Sequence, residues 1–221
     1  EQFQLWDASY LIAVDGSEYF SSNKLSCSAC LEKKHKDGET TYSHQILQGA
    51  IVHPNLRQVI PLMPEEIRNT DGTDKQDCEI NAGKRFISHL RCDHPFMKIT
   101  IGGDGLNSKQ PFIEEIREKE MNFILVAKPD DHTIMMEWIG EQKQLGEVKT
   151  KKVDDTLGRT HVYSFINQVP LNGRGDSIFV NFFSYQILTP DEKIGEKKVT
   201  FKYSWVTDFE VTSKNVEELV R

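Results

Sequence analysis

Residues 11–22 read LIAVDGSEYFSS, a stretch in which four apolar residues lead into Asp15 and then Gly16. An apolar run without polar alternation predicts a strand that is buried on both faces, as in a sheet covered by helices. A charged side chain is rarely found in such a strand unless it is paired. Asp15 is therefore the first candidate for a functional residue.

Asp104 has the same surroundings, because the apolar run in ITIGGDG, residues 99–105, also ends in an aspartate followed by glycine. If the two strands are neighbours, Asp15 and Asp104 lie at adjacent strand ends, where open α/β sheets bind ligands. A divalent cation would relieve the repulsion between them. We predict that the carboxylates lie about 4 to 7 Å apart and bind Mg²⁺ or Mn²⁺ for phosphodiester chemistry. Alternatively, both aspartates only end strands or begin turns.

The remaining patterns predict an α/β fold with strands and helices in the order β-β-β-α-β-α-β up to residue 131. Beyond His132, one helix precedes four β-like segments joined by turn signals, and the last of them alternates cleanly between apolar and polar residues. We expect a core at 1–131, a helix plus antiparallel β-rich insertion at 132–206, and a return to the core at 207–221.

Composition limits the classes of protein that fit. The formal net charge of -7 argues against a generic nucleic-acid surface, although local lysine stripes leave DNA binding open. No apolar stretch approaches the roughly 18 residues of a membrane span. Four cysteines are too few for a disulfide scaffold, which favours a reducing compartment, and we expect a cytoplasmic protein. The absent initiator Met and the helix-like run that closes the chain suggest a piece of a longer protein.

Several stretches together resemble the DDE transposases of bacterial insertion sequences, which have a ribonuclease H-like fold, in the group with a β-strand insertion. The resemblance lies in the following stretches: YLIAVDGSEYFSS, TTYSHQ, KQDCEINAGKRF, ITIGGDGLNSKQPF, NFILVAKPDDHT and NVEELVR. It implies a metal-dependent enzyme that cleaves double-stranded DNA at element ends and transfers the strand, as a homodimer on DNA. Asp15 and Asp104 then correspond to the first two acids of the catalytic triad.

The third acid of that family, a glutamate, is expected on a helix beyond residue 221. Two aspartates alone supply few ligands for two hard cations, so this chain is expected not to cleave DNA by itself. Glu217 or Glu218 is a weaker candidate, because charged residues in a helical run usually form a solvated face. Glu18 is weaker still, since three residues from Asp15 it faces the other side of a regular strand.

Cys27 and Cys30, with His35 and His44, have the residue types and the short first spacing of a structural zinc site. The alternatives are a reduced pair of thiols in a loop and, for His44, a strand histidine near the active centre. The sequence therefore also allows a non-catalytic, zinc-stabilised domain that binds DNA or protein, and a plain ribonuclease H-like nuclease remains an alternative as well.

Trp205 closes the aromatic stripe of the last β-like segment. The transposase resemblance implies that it stacks on a base drawn from the duplex. Packing between strands is the other interpretation.

Overall fold

The computed structural model describes residues 2–70, 76–105, 108–190 and 197–221. These residues form an α/β structure with eleven strands of mixed β-sheet and four α-helices, which confirms the predicted fold class. The ribonuclease H-like topology stays a prediction. The chain divides into two compact units, residues 1–107 with 111–121 and residues 108–110 with 122–221. No helix in the described ranges is both long and apolar enough to cross a membrane.

The first unit is built around a long strand, β1, that pairs antiparallel with β3 and parallel with β6. Strand β3 also pairs with three short strands, β2, β4 and β5. In chain order the elements are β1 (Tyr10–Ser22), β2 (Leu31–Lys34), β3 (Thr40–Val52), β4 (Ile60–Pro61), β5 (Glu65–Ile67), α1 (Glu79–Asp93), β6 (Ile99–Gly103) and α2 (Gln110–Glu118). Only Gln110 of α2 belongs to the second unit.

The strand that carries Asp15 does not end there, as the sequence suggested, but continues to Ser22. Its polar half pairs with β3 from Asp15 opposite Gln48 to Ser22 opposite Tyr42, so alternate residues of this half form backbone hydrogen bonds with β3. A bulge between Glu18 and Phe20 shifts the register by one residue. The third strand of the predicted order, expected in residues 57–67, is two short strands, β4 and β5, and the polar segment 26–39, for which no strand was expected, contains β2.

The core of the first unit lies where α1 packs on the sheet. Ile12 and Val14 of β1 are buried, as are Phe86 and Ile87 of α1. The packing at Gly49 of β3 is tight, because a Cβ atom there would lie 2.2 Å from Phe86 Cζ. Helix α1 is therefore held close to the sheet, and its first residue lies at a defined place.

The second unit is an antiparallel sheet in the order β7-β11-β10-β9-β8, with two helices. Its elements are β7 (Asn122–Val126), a 3₁₀ turn (Pro129–Asp131), α3 (Thr133–Gln144), β8 (Lys149–Asp154), β9 (Thr160–Pro170), β10 (Phe179–Pro190), β11 (Lys197–Thr207) and α4 (Val216–Val220). The four β-segments predicted after His132 are confirmed. The expected divisions after residues 131 and 206 stay predictions.

Candidate functional site

Asp15 and Asp104 follow a pair of register partners on neighbouring parallel strands. The register of β1 and β6 runs from Tyr10 opposite Ile99 to Val14 opposite Gly103, and an aspartate comes next on each chain. Asp15 continues in β1 and is exposed, whereas Asp104 comes directly after β6 and is half-buried. The expectation that the two strands are neighbours is therefore confirmed, and the 4 to 7 Å separation of the carboxylates stays a prediction.

Glu79, the first residue of α1, is a third carboxylate in this group. Burial raises the pKa of Glu79, and the negative charges of Asp104 and Asp15 raise that pKa further. Its Oε1 atom is buried and accepts no hydrogen bond from the described residues. A negative side chain beside two others, with one oxygen unsatisfied, is the arrangement that a cation stabilises.

Gly16 makes room for this carboxylate. A Cβ atom on Gly16 would lie 2.9 Å from Glu79 Oε2 and 3.1 Å from its Cδ, which is closer than a real Cβ atom approaches. Gly16 therefore leaves the space that Glu79 occupies. Sequence reasoning missed Glu79, although one signal was present: an acidic residue at the start of the helix in KQDCEINAGKRF.

An ion-pair network holds the start of α1. Arg85 of α1 donates from Nε to Glu65 Oε1 of β5 over 2.6 Å and from Nη2 to Asp77 Oδ2 over 2.8 Å. Asp77 also accepts from the backbone N–H groups of Arg68 and Cys78. Burial opposes the charge on Asp77, but the hydrogen bonds from Arg85 and these backbone groups outweigh it and lower its pKa. Asp77 lies two residues before Glu79, so the network fixes the backbone from which Glu79 begins α1.

The group Asp15, Glu79 and Asp104 offers only oxygen ligands, which is the donor set of Mg²⁺ and Mn²⁺. Their ligand atoms do not all lie within 4.8 Å of one another, a closeness that among the described residues belongs to Cys27, Cys30 and His44. We call this group the acidic site.

The other candidate acids have partners of their own. Glu18 Oε2 accepts from Gln45 Nε2 over 3.1 Å, across the β1–β3 pair. In the second unit, Glu217 of α4 forms a 2.5 Å ion pair with Lys151 Nζ of β8. Glu218 lies in the same short helix.

A second group brings together donors of a different kind. Cys27 Sγ lies 3.4 Å from Cys30 Sγ and 3.3 Å from His44 Nε2, and Cys30 Sγ lies 3.5 Å from the same nitrogen. These three residues form a group that could hold a metal ion. A backbone hydrogen bond from Ala29 lowers the pKa of the Cys27 thiol, whereas burial raises that of Cys30. We call this group the thiol site.

His35, the fourth zinc ligand suggested by the sequence, lies outside the thiol site as described. It directly follows β2, where its backbone N–H donates to Glu39 O and its Nε2 lies 2.8 Å from Thr41 Oγ1. The register of β2 with β3 takes His35 to the turn, while the bulge in β1 brings Phe20 opposite His44. Three of the four predicted side chains, Cys27, Cys30 and His44, therefore form a group that could hold a metal ion. The prediction was wrong for His35, and no other described residue joins the group as a fourth ligand.

Trp205 is packed inside the second unit. Its ring stacks on Phe183 at 5.2 Å and on Tyr203 at 5.8 Å, and it packs against a buried cluster that includes Phe165 and Leu219. The exposed members of the aromatic stripe are its neighbours Phe201 and Tyr203, which are 42% and 49% exposed. The packing interpretation of Trp205 fits this arrangement, and the base-stacking role stays a prediction.

Comparison of the chain with protein-family models finds no match, and comparison with curated proteins finds none either. The functional assignment therefore depends on the chemistry of the acidic site and the thiol site.

Proposed function

We propose that this chain is a catalytic domain that cleaves phosphodiester bonds with divalent metal ions, and that it acts as a DDE transposase on double-stranded DNA. The observation that supports the proposal is the register of β1 and β6, which ends with Val14 opposite Gly103, the residues directly before Asp15 and Asp104. The transposase resemblance assigns these same two residues to the catalytic acids. Strand transfer and a homodimer on DNA belong to the proposal through that resemblance alone.

Asp15, Glu79 and Asp104 would hold Mg²⁺ or Mn²⁺. Bound there, such ions activate water and stabilise the leaving oxygen in phosphodiester cleavage. The protein residues supply position and charge: the Arg85 network fixes the start of α1, and Gly16 gives Glu79 its space. Gly102 and Gly103, at the end of β6, add no side chain between the acidic site and an approaching DNA backbone.

Glu79 revises the expectation that this chain has too few carboxylates to bind a divalent cation. That expectation counted two aspartates, and the side chain at the start of α1 brings the number of carboxylates in the group to three. We therefore expect the chain to bind a divalent cation as it stands. Strand cleavage would still depend on the glutamate that the resemblance expects beyond residue 221.

Contacts with DNA have support in the lysines of the second unit. Strands β8 and β11 each carry three lysines: Lys149, Lys151, Lys152, Lys197, Lys198 and Lys202. Lysine stripes bind phosphates through charge and the release of counterions, despite the net charge of -7. A transposase of this kind acts on the cell's own DNA, and we propose a cytoplasmic location.

The proposal is tested by nicking of a duplex that carries candidate element ends, with Mg²⁺ or Mn²⁺. The assay uses this chain and a version that extends through the expected glutamate. Cleavage that requires Asp15 and Asp104 supports the proposal, and metal-dependent cleavage that survives both Asp→Asn changes would sink it. Joining of the cut end to a target duplex separates a transposase from a plain nuclease.

The thiol site favours a second function, a zinc-stabilised domain that binds DNA or protein without catalysis. Thiolate and imidazole ligands select zinc, whereas the acidic site selects Mg²⁺ or Mn²⁺. DNA binding that needs zinc, with no cleavage by the extended chain, would favour this second function.

A further inference from the structure

The thiol site is composed of side chains from two separate segments. Cys27 and Cys30 lie in the loop between β1 and β2, and His44 lies in β3, 14 residues beyond Cys30. Cys30 is 5% exposed, Cys27 is exposed and His44 is half-buried, so the group lies at the edge of the first unit. Three ligand types that zinc prefers converge at one point.

We propose that Cys27, Cys30 and His44 bind one zinc ion, and that this ion fastens the β1–β2 loop to β3. Zinc–sulfur bonds of about 2.3 Å and zinc–nitrogen bonds of about 2.0 Å place two tetrahedral sulfur ligands about 3.8 Å apart, and a sulfur and a nitrogen ligand about 3.5 Å apart. The three observed separations, 3.3 to 3.5 Å, are within a few tenths of an ångström of these values.

The sulfur atoms are not joined as a disulfide, since their 3.4 Å separation far exceeds the roughly 2.05 Å of an S–S bond. Both cysteines are free. The backbone N–H of Cys27 donates to Cys30 Sγ over 3.2 Å, and the N–H of Cys30 donates to Cys27 O over the same distance. This tight turn presents both sulfur atoms to the same side, which is what a shared ion requires.

The imidazole is held by the strand opposite. The His44 ring stacks on Tyr19 with centroids 5.8 Å apart and an interplanar angle of 19°, and the Phe20 ring lies 5.6 Å away. The β1 bulge that contains Tyr19 sets both contacts. Outer contacts that orient a ligand ring are a usual part of a metal site, and their loss typically weakens metal binding about 10- to 100-fold.

The loop is also held between the two cysteines, and β2 is held directly after it. Asn69 Nδ2 donates to Ser28 O, and the backbone N–H of Glu32 donates to Gln76 Oε1 over 2.7 Å. The ligand-bearing loop is therefore held by the hydrogen bond at Ser28 and by the ion, and the strand that follows it is held at Glu32. The three side chains fill three positions of a tetrahedral ion, and the fourth is open to water or another donor.

The test is the metal content of the purified chain by elemental analysis, followed by titration of the metal-free chain with Co²⁺. We expect about one zinc per chain and a thiolate-to-cobalt charge-transfer band. The Cys27→Ser and His44→Gln variants should bind Zn²⁺ at least about tenfold more weakly than the unchanged chain. The matched controls are His35→Gln and Cys92→Ser, which should keep full affinity.

The proposal is overturned if the unchanged chain neither contains nor binds zinc, if thiol titration finds Cys27 and Cys30 joined as a disulfide, or if His35→Gln weakens binding as much as His44→Gln. Circular dichroism checks that each variant folds. If a variant does not fold, the thiolate-to-cobalt band of the unchanged chain decides whether the cysteines bind the metal. Asp15→Asn should leave zinc binding intact, so failure of the proposed function and failure of the zinc site are distinguishable.

Discussion

The carboxylate of Glu79 lies where a side chain on Gly16 would have to be, because a Cβ atom there would be 2.9 Å from Glu79 Oε2. Gly16 directly follows Asp15, so one dipeptide supplies an acid and the space for another. The two strand residues and the start of α1 are therefore parts of one site.

Gly16→Ala should weaken Mn²⁺ binding with little effect on stability. The new methyl group meets the end of a flexible side chain, which can turn aside, and the carboxylate is then displaced. Isothermal titration with Mn²⁺ measures the affinity, and thermal unfolding measures the stability. Unchanged Mn²⁺ affinity would contradict the role given to Glu79.

Gly49→Ala is the matched control on the neighbouring strand. Its Cβ atom would lie 2.2 Å from Phe86 Cζ, and the Phe86 ring is only 4% exposed and cannot move away. Overpacking of this kind typically costs about 1 to 3 kcal/mol or more. The two glycines should therefore affect different properties.

Glu79→Gln should stabilise the metal-free chain at pH 7. The pKa of Glu79 in the folded chain is raised, first by burial and then by the charges of Asp104 and Asp15. Its contribution to stability is thus fully present below the unfolded pKa of about 4.3 and is lost as the pH rises through the folded pKa. Thermal unfolding between pH 4 and pH 8 should show a flatter pH dependence for the variant.

Adding Mn²⁺ should make the unchanged chain more stable than Glu79→Gln. The unchanged chain gains stability by binding the cation, and the variant, which binds it more weakly, gains less. Glu66→Gln, at an exposed position of β5, is the control and should behave like the unchanged chain. A variant that gains as much stability from Mn²⁺ as the unchanged chain would show that Glu79 is not a ligand.

Asp15→Asn and Asp104→Asn should each abolish metal-dependent nicking by the extended chain and leave DNA binding intact. In the proposed function the lost carboxylates would serve the metal, whereas phosphate contacts would depend on lysines. Nicking assays and gel-shift titration measure the two properties. Glu18→Gln, on the same strand as Asp15, is the control and should keep full nicking activity. If Glu18→Gln loses as much nicking activity as Asp15→Asn, the acidic residues act through general surface charge and not as metal ligands.

Arg85→Met should destabilise the first unit by about 3 kcal/mol, because it leaves the buried Asp77 without its cation and removes the nearest cation of Glu65. Lys84→Met, the neighbouring cation, should cost much less. Urea unfolding measures both. If both variants lose the same free energy of unfolding, the ion pairs of Arg85 contribute no more than the positive charge of any lysine on this helix.

Asp77 also sets an acid limit on stability. Its pKa is lowered in the folded chain, so its contribution is present above the unfolded pKa of about 3.9 and is lost as the pH falls through the folded value. Asp77→Asn should remove this part of the acid dependence. Urea unfolding between pH 2.5 and pH 6 checks it, and an unchanged slope would refute the assignment.

Trp205→Ala should destabilise the second unit by about 3 kcal/mol, since the ring packs on Phe183 and the buried cluster. Tyr203→Ala should cost little stability, because its side chain is half-exposed. If the stripe stacks on bases, Tyr203→Ala weakens DNA binding by about 1 to 3 kcal/mol per base. Unchanged binding to single-stranded DNA would exclude base contacts at this residue.

Much of the strand order could be predicted because the patterns were local. Alternation in Val199, Phe201, Tyr203 and Trp205 marked β11, and matched apolar runs marked β1 and β6 as equivalent strands. That the two strands are neighbours, with Val14 opposite Gly103, followed from that equivalence. Patterns of this kind depend only on which residues alternate along a strand.

The positions that could not be predicted depend on contacts between distant elements. Glu79 joins the acidic site only because α1 docks on the sheet with its start beside Gly16. His44 rather than His35 meets the cysteines because of the β1 bulge, and no composition signal reveals a one-residue shift. The length of β1 was underestimated since its polar half is satisfied by β3.

The unbroken strand β1 has a consequence for spectroscopy. Asp15 and Phe20 lie on it five residues apart, one at the oxygen-rich site and one beside the sulfur-rich site. At about 3.3 Å per residue this is about 16 Å. A luminescent lanthanide prefers the oxygen atoms of the acidic site, and Co²⁺ prefers the sulfur atoms of the thiol site. The β1–β3 pair would then carry a luminescent donor at one site and a quencher at the other. Emission lifetime would then report any bending of this strand pair as DNA approaches.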